Sequence, residues 1–139
     1  MTSYSSIAPL TLTLLTANAI AAANLVLIPV KTDYLSIQGI PLIIETINNL
    51  RAQANPDLGI LGVLPTMFNA RYTRDNEVLA ALKATLGPSQ IRVFDPIPRS
   101  VGFEKATSEG KPAVEILPDT SGVENYYKIA DEIINYGQA

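Results

Sequence analysis

The stretch Val93–Glu115, VFDPIPRSVGFEKATSEGKPAVE, packs three prolines, two glycines and seven charges behind a short apolar run. Pro98 and Arg99 follow that run directly, and Gly110-Lys111-Pro112 comes before the next apolar segment. The glycine–lysine pair is not a phosphate-binding loop. Its glycine stands alone, proline follows the lysine, and no G-x-x-x-x-G-K-[ST] pattern exists in the chain. From Arg71 to Lys111 there are seven Lys/Arg against five Asp/Glu, within a chain of net charge −3. No global basic field advertises nucleic acid, so any contact with it has to come from a local patch.

The missing residue types exclude whole classes of chemistry. With 0 His and 0 Cys there is no Ser-His-Asp triad, no thiolate nucleophile or metal site, and no disulfide. The usual general base near neutral pH is absent as well. No catalytic residue and no metal ligand set is legible. The lack of Cys fits a cytoplasmic protein. Asp33 stands at the carboxyl end of an expected strand, where it reads as a helix-entry residue interacting with free N–H groups. Glu104 and Glu109 read as solvated, and Tyr126 and Tyr127 as core side chains.

The elements that would position these residues alternate. The 139 residues, 47% apolar and 17% charged, suit a single domain over 1–139 with its own core. Residues 7–30 carry no charge and are long enough for a bilayer. Asn18, Asn24, Pro9 and Pro29 interrupt that run, however, and residues 1–6 lack the basic start of a secretory peptide. The segment divides better into a helix over Leu10–Ala23 and a buried strand over Leu25–Val30. Ser36 is a candidate cap for the next helix, which begins regularly near Ile40 because Pro41 fits only a first turn. Ile37, Ile40, Ile43, Ile44, Ile47 and Leu50 form its stripe, and Asn55-Pro56-Asp57 ends it.

A second strand is expected over Leu58–Leu64. A helix over Glu77–Leu86 follows, capped by Asp75 or Asn76, with Val78, Leu79, Leu82 and Leu86 inward and Gly87-Pro88 as its stop. A third strand is expected at Ile91–Phe94 and an extended segment at Ala113–Ile116. The last helix runs from Thr120 or Ser121 to about Tyr136, with Val123, Tyr126, Tyr127, Ala130, Ile133 and Ile134 facing in. Alternating strands and helices imply an α/β fold with a parallel sheet under covering helices. Ligands of such sheets sit at the carboxyl ends of the strands, here the loops KTDY, PTMFNAR and DPIPRS.

The ordered set TANAIAAANLVLIPVKTDYLSIQGI, NPDLGILGVLPTMFNAR, VFDPIPRSV, EGKPAVE and GVENYYKIADEI resembles the ParA/Soj chromosome- and plasmid-partition ATPases, with MinD a more distant relative. The resemblance covers about residues 16–136 and only the downstream half of that fold. It implies a partial P-loop NTPase (SIMIBI-type) fold lacking the Walker A βα unit. If Ala8-Pro9 match the family's APS-like turn, Ser6 stands where the family carries the Asp that organises Mg²⁺. Phosphoryl transfer depends on Lys, backbone N–H groups and Mg²⁺. The expectation is therefore a truncated or degenerate relative that does not hydrolyse ATP alone, although the family does.

By the same resemblance, Met67 and the Ile97-Pro98-Arg99 turn would line the adenine end of ATP, with the Pro98 carbonyl placed to accept from an amino group. The alternative is that Pro98 merely closes an edge strand. Arg71 and Arg99 match arginines that in relatives contact DNA without sequence preference; the alternative is ordinary solvated surface arginines. Gly102 stands where relatives are often basic, and Lys105 where Glu is frequent. The implied cofactors are ATP and Mg²⁺. The implied partners are a ParB-like stimulator protein, non-specific DNA, and a second copy or a full-length ATPase, with no stable membrane insertion. A non-enzymatic module that pairs through an exposed sheet edge is the competing functional class, and membrane association through residues 7–30 is a third.

Overall fold

A computed structural model describes residues 14–138. Ser6, Ala8, Pro9 and the expected start of the first helix at Leu10 lie outside them. The described chain opens with α1 (Leu14–Ala22), β1 (Leu25–Lys31), α2 (Tyr34–Gln38), α3 (Ile40–Gln53) and β2 (Gly59–Thr66). It continues with α4 (Thr73–Leu86), α5 (Val101–Ser108), α6 (Ala113–Ile116) and α7 (Val123–Gln138). Helix α1 gives way to β1 inside the uncharged run, as its Ala/Leu-rich and β-branched halves require. No helix among the described residues is long and apolar enough to cross a membrane.

Strands β1 and β2 pair in parallel from Leu25↔Gly59 to Lys31↔Thr66. The register slips between Val26, opposite Ile60, and Leu27, opposite Gly62. That extra residue, Leu61, lets Ile60 and Val63 turn to the same sheet face although they are three apart. Gly62 makes it possible. Its φ is +153°, and a Cβ there would lie 2.7 Å from both the Arg92 carbonyl oxygen and Phe94 Cε2.

Backbone pairing continues beyond β2. The Val63 N–H donates to the Arg92 carbonyl at 2.8 Å, and the Phe94 N–H to the Val63 carbonyl at 2.9 Å. Parallel bridges at Val63↔Val93 and Phe68↔Pro98 attach this third extended segment to β2. The expected strand over Ile91–Phe94 is thus an interrupted ladder reaching Pro98. Pro65, Pro96 and Pro98 each withhold an N–H, which prevents a continuous one.

Two cores flank the sheet. Ile28, Val30 and Val63 pack against Ile40, Ile44 and Ile47 of α3 and Leu82 and Leu86 of α4. On the opposite face Leu64, Phe94 and Ile97 meet Ile129 of α7, with Leu27, Leu61 and Phe103 half-buried beside them. Asn55, in the turn after α3, donates from Nδ2 to the Ala21 and Ala23 carbonyls at 3.0 and 2.7 Å. These bonds satisfy carbonyls that α1 leaves unpaired at its end. Pro29, in β1, is exposed. The Asn24 carbonyl and the Thr32 N–H both bond to β2, so the even-numbered positions face it. Pro29 therefore puts its missing N–H on the side of β1 that faces away from β2.

Several expected boundaries shift. Helix α4 starts at Thr73 rather than Glu77, because Asp75 and Asn76 are used elsewhere. Asp75 accepts from the Asn69 N–H at 2.8 Å, and Asn76 Nδ2 donates to the Ala70 and Tyr72 carbonyls, both at 2.9 Å. Residues Ala113–Ile116 form one helical turn instead of an extended segment, entered through Pro112. In α7 only Val123 and Ile129 are buried, at 2% and 6% exposure. Tyr126, Tyr127, Ala130, Ile133 and Ile134 are exposed, contrary to the inward stripe expected of them. Regular spacing identified an apolar helix face but not whether the fold supplies anything to cover it.

Candidate functional site

The carboxyl ends of β1, β2 and the third segment converge on three loops. Thr32, 7% exposed, donates through Oγ1 to the Thr66 carbonyl at 2.7 Å, and its N–H donates to the same oxygen at 3.0 Å. Thr66 Oγ1 donates in turn to the Val30 carbonyl at 3.2 Å. These bonds lock the two strand ends together and fix where the loops begin.

Asp33 is the N-cap of α2, with its carboxylate accepting from the Ser36 N–H at 2.8 Å and from the Ser36 hydroxyl at 2.9 Å. Ser36 is therefore inside the helix and not its cap. The backbone donor lowers the Asp33 pKa below the ordinary 3.8, against an opposing push from burial, and the Ser36 hydroxyl, Lys31 and Arg74 add to the lowering. Nothing in the spacing of Lys31, Asp33 and Arg74 signalled that their charges act on one another. Only the folding of α4 against α2 makes them neighbours.

Met67 follows β2 in a left-handed conformation, φ 56°, and is 52% exposed. A long unbranched side chain at positive φ carries a backbone cost that the surrounding structure must hold in place. What holds it is adjacent. The Phe68 N–H donates to the Ile97 carbonyl at 3.1 Å, the Arg99 N–H donates to the Phe68 carbonyl at 2.9 Å, and the Ile97 N–H donates to the Pro65 carbonyl at 2.9 Å. Ile97 is 3% exposed and belongs to the core. Pro98 leans on Gly122, where a Cβ would come within 2.6 Å of the proline Cδ. Asn125 Nδ2 donates to the Pro96 carbonyl at 3.0 Å and ties α7 to the same turn.

Met67 and Ile97-Pro98-Arg99 are thus brought side by side. Ile97 faces the core rather than an open site, leaving Met67, Pro98 and Arg99 as the accessible members. Arg71 and Arg99 are both exposed, and they leave the same end of the sheet on neighbouring loops. Arg71 gives its backbone N–H to Asn69 Oδ1 at 3.1 Å, which shapes the loop without engaging its guanidinium. Among the described residues the one ion pair is Arg92 with Glu132, and the Arg92 guanidinium lies 4.5 Å from the Phe94 ring centroid. Gly102 owes its identity to packing: a Cβ there would sit 2.4 Å from Thr120 Oγ1. Glu104 and Glu109 are exposed, as expected.

Met67, 52% exposed, and the half-buried Pro98 are the uncharged accessible members of this corner. Among the described residues, however, no group of three or more His, Cys, Asp or Glu is arranged to hold a metal ion. No phosphate-binding loop stands in the sequence. The triphosphate and Mg²⁺ do not fit what this chain supplies.

Comparison with known proteins places this architecture. The cell division ATPase MinD of Pyrococcus furiosus superposes with a TM-score of 0.68 over 92% of this chain and 49% of that one, at 21% identity. The Mycobacterium smegmatis cobyrinic acid a,c-diamide synthase, solved with a bound ATP analog and magnesium, superposes at 0.58 over 66% of this chain and 36% of its own, at 33% identity. The parallel sheet, its helical cover and its strand-end loops are a partial P-loop NTPase fold of the MinD type.

Sequence narrows the class further. The AAA domain family matches residues 7–60. Chromosome-partitioning ATPase Soj of Thermus thermophilus is 37% identical over 91% of this chain and 50% of its own length. Chromosome partitioning protein ParA of Caulobacter vibrioides is 34% identical over 91% of this chain and 47% of its length. The chain resembles the ParA/Soj-type partition ATPases over nine-tenths of its own length and spans about half the length of the curated relatives it matches.

Proposed function

We propose that residues 1–139 act as one domain of a ParA/Soj-type partition ATPase, in the cytoplasm, holding the adenine end of ATP and presenting arginines to DNA. Met67, Ile97, Pro98 and Arg99 form the base-binding corner in this reading, with Ile97 as its buried footing. Arg71 and Arg99 face DNA phosphates, which suit the fork of a guanidinium. The working state is an ATP-dependent dimer on non-specific DNA, discharged by a ParB-like partner. The observation that carries this reading is the clasp of Phe68 on Ile97 and Arg99 beside a strained, exposed Met67, because strain of that kind concentrates at ligand sites.

No hydrolytic step is assigned to this chain, since it supplies neither a phosphate loop nor a carboxylate set for Mg²⁺. Titration calorimetry with adenosine and with ATP, each with and without Mg²⁺, tests the reading. Weak binding is expected for both ligands, with similar affinity and little response to Mg²⁺. Tight, Mg²⁺-dependent capture of ATP would overturn the assignment of an incomplete site. Absence of any adenosine binding at millimolar concentration would remove the corner as a base site.

A second reading, a non-enzymatic module that pairs with itself or with a full-length ATPase, is favoured by one observation. Helix α7 exposes Tyr127 and Ile134, each at 56%, and exposed apolar groups that adjoin on one face mark contact surfaces.

A further inference from the structure

We infer that Asp75 and Asn76 are positioning residues: they hold the turn 69–72 in shape, so that Arg71 meets a nucleic-acid phosphate from a loop already ordered. The inference rests on the DNA reading proposed above and adds to it the groups that aim the arginine. Residues 69–72 close as a four-residue turn, with the Tyr72 N–H donating to the Asn69 carbonyl at 3.0 Å. Arg71 stands at its third position. The Asp75 carboxylate accepts from the Asn69 N–H at 2.8 Å, and Asn69 Oδ1 accepts from the Arg71 N–H at 3.1 Å. Asn76 Nδ2 donates to the Ala70 and Tyr72 carbonyls, both at 2.9 Å. Side chains of three residues thus tie the turn at its entry, its tip and its exit. Short polar side chains can do this because they reach backbone groups a few residues away.

Both ends of the turn are fixed as well. Upstream, Phe68 bonds to Ile97 and Arg99. Downstream, the chain enters α4, whose Val78 and Leu82 lie in the core.

These ties leave the charge of Arg71 unspent. Arg71 is exposed, and among the described residues its guanidinium forms no ion pair. Half-buried Asp75 gives its carboxylate to a backbone N–H instead of to Arg71 or Arg74. A carboxylate so close to a phosphate-binding arginine opposes the phosphate by like-charge repulsion. What it supplies in return is order. A loop ordered before contact loses less freedom on binding, which raises affinity without any added contact.

Fluorescence anisotropy with a fluorescein-labelled DNA duplex over a salt series, on the full chain, tests the inference. Arg71→Ala should lower the slope of log affinity against log salt by about 1. Asp75→Ala should weaken binding about threefold or more, although it deletes a negative charge that opposes phosphate. In an Arg71→Ala background the same change should cost nothing further, since no arginine is left to aim. Asp75→Asn keeps an acceptor for the Asn69 N–H and should recover the loss. Asn76→Ala, at an exposed position, should also weaken binding only where Arg71 is present. It carries the test if Asp75→Ala lowers the thermal midpoint too far for titration. Tighter binding by Asp75→Ala, or equal losses with and without Arg71, overturns the inference and leaves the DNA reading standing. Asp75 would then act only as a charge or as a helix-end residue. An Arg71→Ala variant with unchanged affinity and slope removes the DNA role of Arg71 itself, and this inference with it.

Discussion

Phe68 and Pro98 lie side by side as a parallel bridge, and the Phe68 backbone bonds the residue on either side of the proline. Pro98 cannot donate, so pairing at this point depends on its neighbours. The Ile97 carbonyl accepts from Phe68, and the Arg99 N–H gives to it. A turn built this way cannot shift by one residue without putting the proline nitrogen where a donor is required. The register of the strand-end corner is therefore set by backbone bonds, with the Asn125 side chain adding a tie to the Pro96 carbonyl.

The strain at Met67 separates stability from binding. Met67→Gly removes the cost of a left-handed side-chain-bearing residue, about 1 kcal/mol. Urea unfolding should show a variant at least as stable as the parent, while adenosine affinity falls in calorimetry. A variant that is clearly less stable would mean that the Met67 side chain contributes packing this account leaves out.

Gly62 should not tolerate a side chain. Gly62→Ala drives a methyl group into the Arg92 carbonyl and the Phe94 ring, each 2.7 Å from the new atom. Overpacking of this kind costs roughly 1–3 kcal/mol. The urea midpoint should drop with an unchanged m-value. A loss below about 0.5 kcal/mol, the usual range for surface changes, would show that the third segment can move away from β2.

Asp33 gives stability a pH dependence of known sign. Its carboxyl titrates below 3.8 in the folded chain, chiefly because it accepts from the Ser36 N–H. The stabilisation from the charged form is present above the ordinary carboxylate value and disappears as pH falls through the lower folded value. Asp33→Ala should cost about 1 kcal/mol at pH 7, as lost caps do. The gap between parent and variant should narrow below the ordinary carboxylate value. A gap that stays constant down to pH 2 would contradict the capping account.

The two exposed arginines can be tested by salt. If Arg71 and Arg99 meet phosphates, each change to Ala should lower the slope of log affinity against log salt by about 1, with duplexes of any sequence. Thermal stability should hold within about 0.5 kcal/mol, as for other surface positions. Fluorescence anisotropy over a salt series checks it, and unchanged slopes in both variants would return these residues to ordinary surface.

Local chemistry was legible in the sequence to the extent that it acts locally. Pro41 started α3 where a first-turn proline must, Gly87-Pro88 followed α4, and Leu25–Lys31 came out as a strand after an Ala/Leu helix. The loops at the strand ends were found because a parallel sheet puts ligands there. Interactions between distant segments were not legible. Asp75 read as a cap but serves Asn69. The proline-broken ladder from Arg92 to Arg99 has no strand periodicity to detect. Tyr127 and Ile134 have the spacing of core residues, and only the fold shows that each is 56% exposed. The sequence did not show that Ile97 is buried, at 3% exposure, while Pro98 and Arg99 beside it stay accessible.

Pro29 sets a limit on what the outer margin of β1 can do. A further chain laid along it finds carbonyl acceptors but no donor at the middle of the strand. It can zip up at most one end, next to Leu25 and Leu27. Any strand that pairs on that side has to do without the one donor that the Pro29 ring removes from the middle of β1.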